Sequence, residues 1–398
     1  MADVLLETKL HIPPLHRNLV RRPRLIQRLN EGLAPDRRMM LISAPAGYGK
    51  STLLSEWVSQ VRLPAAWLSL GAEENTPVRF WSYFISALSN LPALHQAACC
   101  DSLLVSLQSP QPPPMAAVLT DLMNGLSAVE GEMVLVLDDL HSITDKQIHQ
   151  DLVFLISHLP HSGIRLHLVA ASRMDPPWPL ARWRGKGELT ELRASDLRFS
   201  LAEVAQFLDQ VFQLKLFPQD ITALQEQIEG WIVGLQMAAV SMQGKWKAQG
   251  AHGVSSFITT LSGSNRFILD YLMDEVISQQ PGEIRDFLQA TSLLEQFTAP
   301  LCDALLSRQD SQAILDRIEQ ANLFLIPLDD ERKWYRYHHL FADLLRKSLK
   351  QTQPEFIPVL HQRASDWYVA NHFLAEAISH ALDAGDVMRV NKCVSGNA

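Results

Sequence analysis

The chain has 398 residues, 47% of them hydrophobic, which is enough for about two to three domains with buried cores. With 35 Lys and Arg against 43 Asp and Glu, its net charge of −8 excludes a protein that coats nucleic acid through bulk positive charge. Four cysteines without a C-x-x-C pair indicate neither a zinc site nor a disulfide framework. With no signal peptide and no membrane-spanning apolar run in the sequence, we expect a cytoplasmic protein.

An arginine-rich stretch precedes the first predicted strand. Residues 20–29 predict an extended segment and then a short amphipathic helix, with Leu25, Ile26 and Leu29 facing inward. Four arginines fall within eight residues of this stretch. They are either a nucleic-acid patch or the solvated face of that helix, and the solvated face is the simpler interpretation.

A glycine-rich loop follows the apolar strand at residues 39–42 and precedes a helix with an apolar stripe. Its pattern is G-x-x-x-x-G-K-S with Ala44 at the first glycine position, which predicts a phosphate-binding P-loop. Backbone N–H groups would surround the phosphate oxygens, Lys50 would reach the β- and γ-phosphates, and the Ser51 hydroxyl would bind Mg²⁺. The predicted nucleotide-binding residues here are Gly47, Tyr48, Gly49, Lys50, Ser51 and Thr52. A glycine turn that binds nothing is disfavoured, because the strand, the glycine-rich loop and the helix of a P-loop all occur here in the required order.

A second apolar run, residues 133–137, ends in the pair Asp138 and Asp139. A continuous apolar run predicts a central parallel strand, and open α/β sheets bind ligands at the carboxyl ends of their strands. Phosphoryl transfer requires one carboxylate to hold Mg²⁺ and another to orient or deprotonate water. We assign the first role to Asp138 and the second to Asp139. A helix N-cap at Asp139 is the alternative.

A further buried strand, residues 165–172, is followed by Arg173. An arginine at this strand end can reach the γ-phosphate of a bound nucleotide, and a solvated surface arginine is the alternative interpretation. Strands that alternate with helices as far as about residue 200 predict a doubly wound parallel sheet.

The rest of the chain has a helical pattern. A capping box starts at Ser200, a tight turn lies at residues 230–231, and residues 251–256 suggest a loose connection. Residues 323–328 and 334–337 predict a β-hairpin that follows helices, which suggests a winged helix. The pair His338-His339 lacks a third ligand at metal-binding spacing, so a metal site there is disfavoured.

We predict four domains. They are a P-loop nucleotide-binding domain at 1–200, a helical domain at 201–280, a winged-helix domain at 281–350 and the start of a helical, TPR-like repeat domain at 351–398. One helical pair cannot bury its own apolar face, so further repeats would be expected. The sequence stops at Ala398 without them, which suggests a shortened chain or a broken gene.

Taken together, these stretches resemble the MalT-like branch of the STAND signal-transduction ATPases, which are large LuxR-type transcriptional regulators. The resemblance covers nearly the whole chain, and the stretches that carry it are residues 8–10, 45–50, 137–141, 171–173, 230–231, 291–292 and 337–341. It implies ATP and ADP as cofactors with Mg²⁺, and self-association of the ATP-bound form. A small-molecule inducer and promoter DNA are expected as partners only of a full-length form that has the sensor repeats and a C-terminal helix-turn-helix.

The resemblance also implies roles for single residues. His338 matches a winged-helix histidine that contacts the β-phosphate, and Arg173 matches a phosphate-sensing arginine. Ile232 stands where many relatives have the proline of a Gly-x-Pro motif against the adenine. The stretch at 20–25 matches a segment that borders the adenine, which is a third interpretation of its arginines.

The sequence therefore predicts an ATP-binding regulatory switch that hydrolyses ATP slowly. One alternative is a P-loop ATPase or small-molecule kinase with steady turnover, but nothing after Arg173 resembles a lid over a second substrate. Another is an interaction module that has lost catalysis, which the intact pair of aspartates disfavours.

Overall fold

The computed structural model describes residues 5–15, 18–97, 99–159, 164–263 and 265–390. The chain divides into two compact units, Met1–Arg198 and Phe199–Ala398. Within the described ranges, no helix has both the length and the apolar character that a membrane crossing requires. The four-domain division stays a prediction, and residues 391–398 of its last domain lie outside the described residues.

The first unit is built on a sheet of five strands, all of them parallel, in the order β2-β3-β4-β1-β5. The strands are β1 (Met39–Ser43), β2 (Ala65–Ser69), β3 (Gly131–Asp138), β4 (Ile164–Ser172) and β5 (Leu189–Arg193). Because β4 lies between β1 and β3, the carboxyl ends of the three strands that carry the predicted site are direct neighbours. The predicted parallel sheet is confirmed.

Nine helices accompany this sheet in the described part of the first unit. They are α1 (Pro23–Glu31), α2 (Lys50–Gln60), α3 (Pro77–Ser89), α4 (Pro92–Ala97), α5 (Cys99–Leu107), α6 (Met115–Ser127), α7 (Lys146–His158), α8 (Leu180–Gly185) and α9 (Ala194–Leu197). One hydrophobic cluster joins side chains of β1 to β4 with those of α3, α5, α6 and α7. The aromatic stripe of α3 belongs to it, since Phe80, Trp81 and Phe84 are fully buried.

Strand β5 has no counterpart in the sequence analysis. Only Leu189 and Leu192 of its five residues are buried, so the strand shows no apolar run. It forms because it pairs along β1, with Ser43 opposite Arg193. A partly polar edge strand of this kind is specified by its neighbour rather than by its own pattern.

The arginines of the N-terminal stretch do not all form a solvated face. Arg22 is buried and donates hydrogen bonds to the carbonyl oxygens of Leu197 and Arg198, at 2.8 and 2.9 Å. Arg24 donates to the carbonyl oxygens of Asp196 and Arg198, at 2.6 and 2.8 Å. These contacts hold the last residues of the first unit against the start of α1.

In its described residues the second unit is largely helical, with one short antiparallel hairpin. Its elements are α10 (Leu201–Phe212), α11 (Pro218–Ile228), α12 (Ile232–Thr259), α13 (Arg266–Leu272), α14 (Gly282–Thr291), α15 (Ala299–Leu306), α16 (Ser311–Gln320), β6 (Leu325–Pro327), β7 (Tyr335–Tyr337), α17 (His339–Thr352), α18 (Ile357–Ala370) and α19 (Leu374–Asp383). The predicted capping box is present, because Ser200 and Glu203 exchange hydrogen bonds at the start of α10.

The loose connection predicted at residues 251–256 is wrong. The chain is helical on both sides of Gly250, the one residue of α12 with non-helical backbone angles (φ 63°, ψ −153°). The buried side chains of Val254 and Ile258 anchor the helical turns that follow. Packing of these two residues overrides the weak helical preference of the local sequence.

Candidate nucleotide-binding site

The loop between β1 and α2 has the backbone that a phosphate site requires. Gly47 and Gly49 adopt positive φ angles of 77° and 76°, a region that glycine enters without steric cost. Helix α2 begins at Lys50, directly after the second glycine. Its free N–H groups and partial positive charge therefore lie at the end of the loop, as in an anion-binding helix terminus.

Lys50 is buried, and its ammonium group lies against the loop itself. Its Nζ donates to the carbonyl oxygens of Ala44 and Pro45, at 2.8 and 2.9 Å. Burial lowers the pKa of Lys50 to about 8, while the charges of Asp139 and Asp138 act to raise it and that of Arg173 to lower it. The structure thus brings four of the predicted site residues into one electrostatic cluster.

Asp138 ends β3 with its carboxylate almost fully buried. Burial, and then the neighbouring charge of Asp139, raise its pKa to about 6, although hydrogen bonds from the Ser51 hydroxyl and the Asp139 N–H favour the charged form. A buried carboxylate bonded to a hydroxyl, with too little positive charge nearby to restore its usual pKa, is a fitting environment for Mg²⁺. Asp138 and Ser51 are therefore the residues that would hold the ion.

Asp139 has a different environment from its neighbour. Its backbone is left-handed, with φ 55° and ψ 39°, and 46% of its side chain is exposed. In the described structure its carboxylate caps neither the short turn that follows nor α7, whose N-cap is Asp145. Asp139 thus stands at the N-cap position of the short turn Leu140–Ser142 without capping it through its side chain. Its accessible carboxylate lies 3.7 Å from Nδ1 of His141.

Arg173 follows β4 at the same edge of the sheet. Strand register places Ser172 opposite Ser43, the residue before the loop, so the arginine leaves the sheet next to the P-loop. Its charge acts to lower the pKa of Lys50, and its side chain is half-buried. The role of Arg173 as a phosphate sensor stays a prediction.

One network at this edge was missed by the sequence analysis. Asp175 accepts a hydrogen bond from the Ser43 hydroxyl at 2.6 Å and forms an ion pair with Arg193. Arg193 also pairs with Glu191 in β5. The network ties the ends of β1, β4 and β5 together, directly before the P-loop. Its only sequence signal is an acidic residue two positions after Arg173.

The residues implied by resemblance in the second unit form a cluster of their own. His338 is buried, donates from Nε2 to the carbonyl oxygen of Ile228 at 3.0 Å, and packs edge-on against the rings of Trp231 and Phe324. This ties the start of α17 to the turn before α12. A contact of His338 with a β-phosphate, and of the turn with adenine, both stay predictions.

Comparison with known proteins first defines the class. Residues 18–169 match the AAA ATPase domain, and residues 273–357 match the MalT winged helix domain. The Walker-type ATPase PABY2304 of Pyrococcus abyssi has a similar fold, with a TM-score of 0.55 over 83% of this chain and 97% of that one, at 16% identity. The chain therefore combines a P-loop domain of the AAA type with a winged helix, and both predictions are confirmed.

Similar proteins of known name define the family more narrowly than these two domain matches do. The chain is 34% identical over 385 residues to the HTH-type transcriptional regulator MalT of Yersinia enterocolitica, which covers 96% of this chain and 41% of that protein. It is 32% identical over 396 residues to MalT of Cronobacter sakazakii, covering 99% and 42%. The predicted resemblance to MalT-like regulators is confirmed. The chain spans about two fifths of the length of these relatives.

Proposed function

We propose that this chain is the ATP- and ADP-binding switch of a LuxR-type, MalT-like transcriptional regulator. The observation that carries the proposal is the cluster of Lys50, Asp138, Asp139 and Arg173 beside a P-loop with two left-handed glycines. In this proposal ADP holds the resting form, ATP favours self-association, and slow hydrolysis resets the switch.

Each residue of the cluster has a separate task. Lys50, now bonded to two loop carbonyls, would turn to the β- and γ-phosphates. Ser51 and Asp138 would hold Mg²⁺, whose charge offsets that of the phosphates when it is bound. The accessible carboxylate of Asp139 would orient or deprotonate the attacking water, and Arg173 would sense the γ-phosphate. Gly47, Tyr48, Gly49 and Thr52 complete the phosphate cradle.

We infer the partners from the similar proteins, which are named as transcriptional regulators. We assign a small-molecule inducer and promoter DNA to a full-length form, and we place the switch in the cytoplasm, where such a regulator meets its DNA and ATP. His338 would contact the β-phosphate in the ADP form.

Turnover separates this proposal from a steady ATPase or a small-molecule kinase. A switch is expected to purify with bound ADP and to hydrolyse ATP slowly, with product release or reset limiting the cycle. Nucleotide content of the purified chain by mass spectrometry, followed by single-turnover and steady-state hydrolysis, measures both. Rapid multiple turnover without bound ADP would favour the steady ATPase.

Removal of the Lys50 ammonium tests the binding site itself. Lys50→Ala deletes the cation that would bond the β- and γ-phosphates, and charge-assisted hydrogen bonds of this kind are worth about 1.5–3 kcal/mol each, so we expect ATP affinity to fall on the order of a hundredfold or more. Titration calorimetry with ATP and ADP measures the loss. Lys186→Ala, at an exposed lysine of the same unit, is the matched control. Unchanged ATP affinity in Lys50→Ala would contradict the P-loop assignment.

A further inference from the structure

A cavity of about 640 Å³ lies in the second unit, and none of its lining residues is assigned to the nucleotide. It opens between the tip of the β6–β7 hairpin, the loop that joins α14 to α15, and one face of α19. Its volume is in the range of small-molecule sites. Its lining residues are Leu293, Glu295, Gln296, Leu328, Asp329, Trp334, Tyr368, Phe373, Ala375, Glu376, Ser379, His380 and Asp383.

Three aromatic rings form one side of the cavity. The ring of Phe373 meets that of Trp334 at 5.7 Å and 70°, and that of Tyr368 at 6.0 Å and 74°. Trp367 stacks on Phe373 at 6.1 Å and 13°, which holds the central ring in place. Trp334, Tyr368 and Phe373 all line the cavity, and an ammonium group is attracted to the faces of such rings.

The remaining lining is acidic. It contains no lysine or arginine, and it contains four carboxylates: Glu295, Asp329, Glu376 and Asp383. Elsewhere in the unit carboxylates pair with arginines, as Glu229 does with Arg336 at 2.8 Å. In the described part of the chain, Glu295 and Glu376 have no such ion pair or hydrogen bond. The cavity therefore presents negative charge that the protein itself does not neutralise.

Asp329 is fixed in its charged form by the backbone of the hairpin. Its two carboxylate oxygens accept hydrogen bonds from the N–H groups of Lys333 and Trp334, at 2.9 and 2.8 Å. These bonds lower the pKa of Asp329. The same bonds hold the Trp334 backbone, so the carboxylate and the aromatic wall belong to one rigid turn.

His380 adds a polar side chain to the wall without adding charge. Only 9% of the residue is exposed, its Nδ1 lies 2.8 Å from Nδ1 of His361, and the Tyr368 ring stacks on it at 5.4 Å. Burial, and then His361, lower the pKa of His380 to about 4, so it is neutral at pH 7. Within the described residues its Nε2 has no protein hydrogen-bond partner and is not fully buried, so water or a ligand can reach it.

We propose that this cavity binds a small organic cation, an ammonium or guanidinium compound with an apolar body. The aromatic wall would contact the cationic group, and the carboxylates of Glu295 and Glu376 would offset its charge. Because the walls come from the β6–β7 hairpin and from α18 and α19, an occupied cavity would link these elements. The proposal stands independently of the nucleotide function.

Calorimetric titration of the 398-residue chain tests the proposal, with choline, agmatine and spermidine as probes. An uncharged analogue of choline, in which carbon replaces nitrogen, is the matched neutral ligand. We expect at least one cation to bind and the neutral analogue not to bind. The double variant Glu295→Gln, Glu376→Gln keeps the shape of both side chains, and Trp334→Leu removes one wall. Each is expected to weaken binding at least about tenfold, because charge and ring face both contribute.

Glu355→Gln is the control, because Glu355 is an exposed carboxylate of the same unit outside the cavity. It should bind the cation as the unaltered chain does, and ATP affinity should be the same in all the variants. Three results would overturn the proposal: no probe binds at millimolar concentration, the neutral analogue binds equally well, or the double variant keeps full affinity. If a lysine-rich peptide binds but none of the three amines does, the cavity is a site for a protein partner instead.

Discussion

At the scale of single residues, Asp138 and Asp139 show how neighbours in sequence acquire different chemistry. Asp138 ends a buried strand, and burial raises its pKa to about 6. Asp139 turns into a left-handed conformation, which directs its side chain to a half-exposed position. The buried carboxylate with its Ser51 hydroxyl suits an ion, and the accessible one suits a water molecule. Backbone geometry thus separates the two proposed roles.

Asp139→Asn should separate binding from hydrolysis. The amide keeps the shape of the side chain but cannot accept a proton, so ATP should remain bound while the single-turnover rate falls about a hundredfold or more. Calorimetry measures whether the variant still binds ATP, and quenched-flow experiments measure the single-turnover rate of hydrolysis. If the rate is unchanged, Asp138 or another carboxylate is the base.

At the scale of secondary-structure elements, an ion pair joins the turn between α11 and α12 to β7. Arg336 donates to both carboxylate oxygens of Glu229, each at 2.8 Å, and the side chain of Glu229 is buried. Burial alone would raise the pKa of Glu229, but the hydrogen bonds from Arg336 and the charge of His338 outweigh it and hold the pKa at about 2. The charged form is therefore the one that the folded unit favours.

The pair predicts a loss of stability in acid. The pKa of Glu229 lies below its ordinary value of 4.5, so the unfolded chain takes up a proton first as the pH falls. Its stabilising contribution is complete above pH 4.5 and decreases as the pH falls towards about 2. Hydrogen exchange of the β7 and α12 amides, followed across this interval, measures the local opening free energy.

The variant Arg336→Ala tests whether the loss of stability in acid comes from the ion pair between Glu229 and Arg336. It leaves a buried carboxylate without its main partner, which costs about 3–5 kcal/mol at neutral pH. The decrease of the opening free energy in acid should then disappear, because protonation of Glu229 relieves an unpaired charge instead of breaking an ion pair. If the opening free energy of the variant decreases in acid as it does in the unaltered chain, other groups cause the decrease.

His338 connects two elements of the second unit through the carbonyl oxygen of Ile228 and the Trp231 ring. If it also contacts the β-phosphate, His338→Ala should weaken ADP binding more than ATP binding, because the P-loop contacts are untouched. Calorimetric titration with each nucleotide measures the difference. His339→Ala, at the exposed neighbour, is the matched control. Equal losses for ADP and ATP would contradict the role of His338 in the ADP-bound form.

At the scale of the whole molecule, the winged helix lacks a basic surface at the positions that read DNA. Helix α16 carries Asp316 and Glu319 beside a single Arg317, and that arginine pairs with Glu283 at 3.2 Å. The hairpin tip has three acidic residues at 329–331, and its two cations, Arg332 and Lys333, form ion pairs with Glu319 and Glu331. Phosphate neutralisation requires several available cations, so this fold is better suited to protein or nucleotide contacts.

We therefore expect no specific promoter binding by the 398-residue chain. Its net charge of −8 also opposes non-specific attraction. Fluorescence anisotropy with promoter and scrambled duplexes at near-physiological salt decides the question, since electrostatic binding depends on ionic strength. Salt-dependent, sequence-selective binding would move the DNA-reading function into residues 281–350.

Local patterns of the sequence were sufficient for the P-loop, the aspartate pair and most helices and strands. Strand, glycine loop and helix follow one another within about a dozen residues, and each of these elements is determined by residues in or next to it. The same holds for β3, whose apolar run predicts burial on both faces, and for the β6–β7 hairpin, whose two short strands flank a polar turn. Such elements are predictable because their determinants are adjacent in the chain.

Only the tertiary structure decided which distant groups meet. Arg22 bonds the carbonyl of Leu197, 175 positions away, and Asp175 bonds Ser43, 132 positions away. Strand β5 and the contact of Trp334 with Phe373 likewise depend on partners from other elements. A hydrogen bond or ion pair between remote residues imposes no periodicity on the residues around either partner. The neutral His380 and the shifted pKa values also arise from burial, which exists only once the chain has folded.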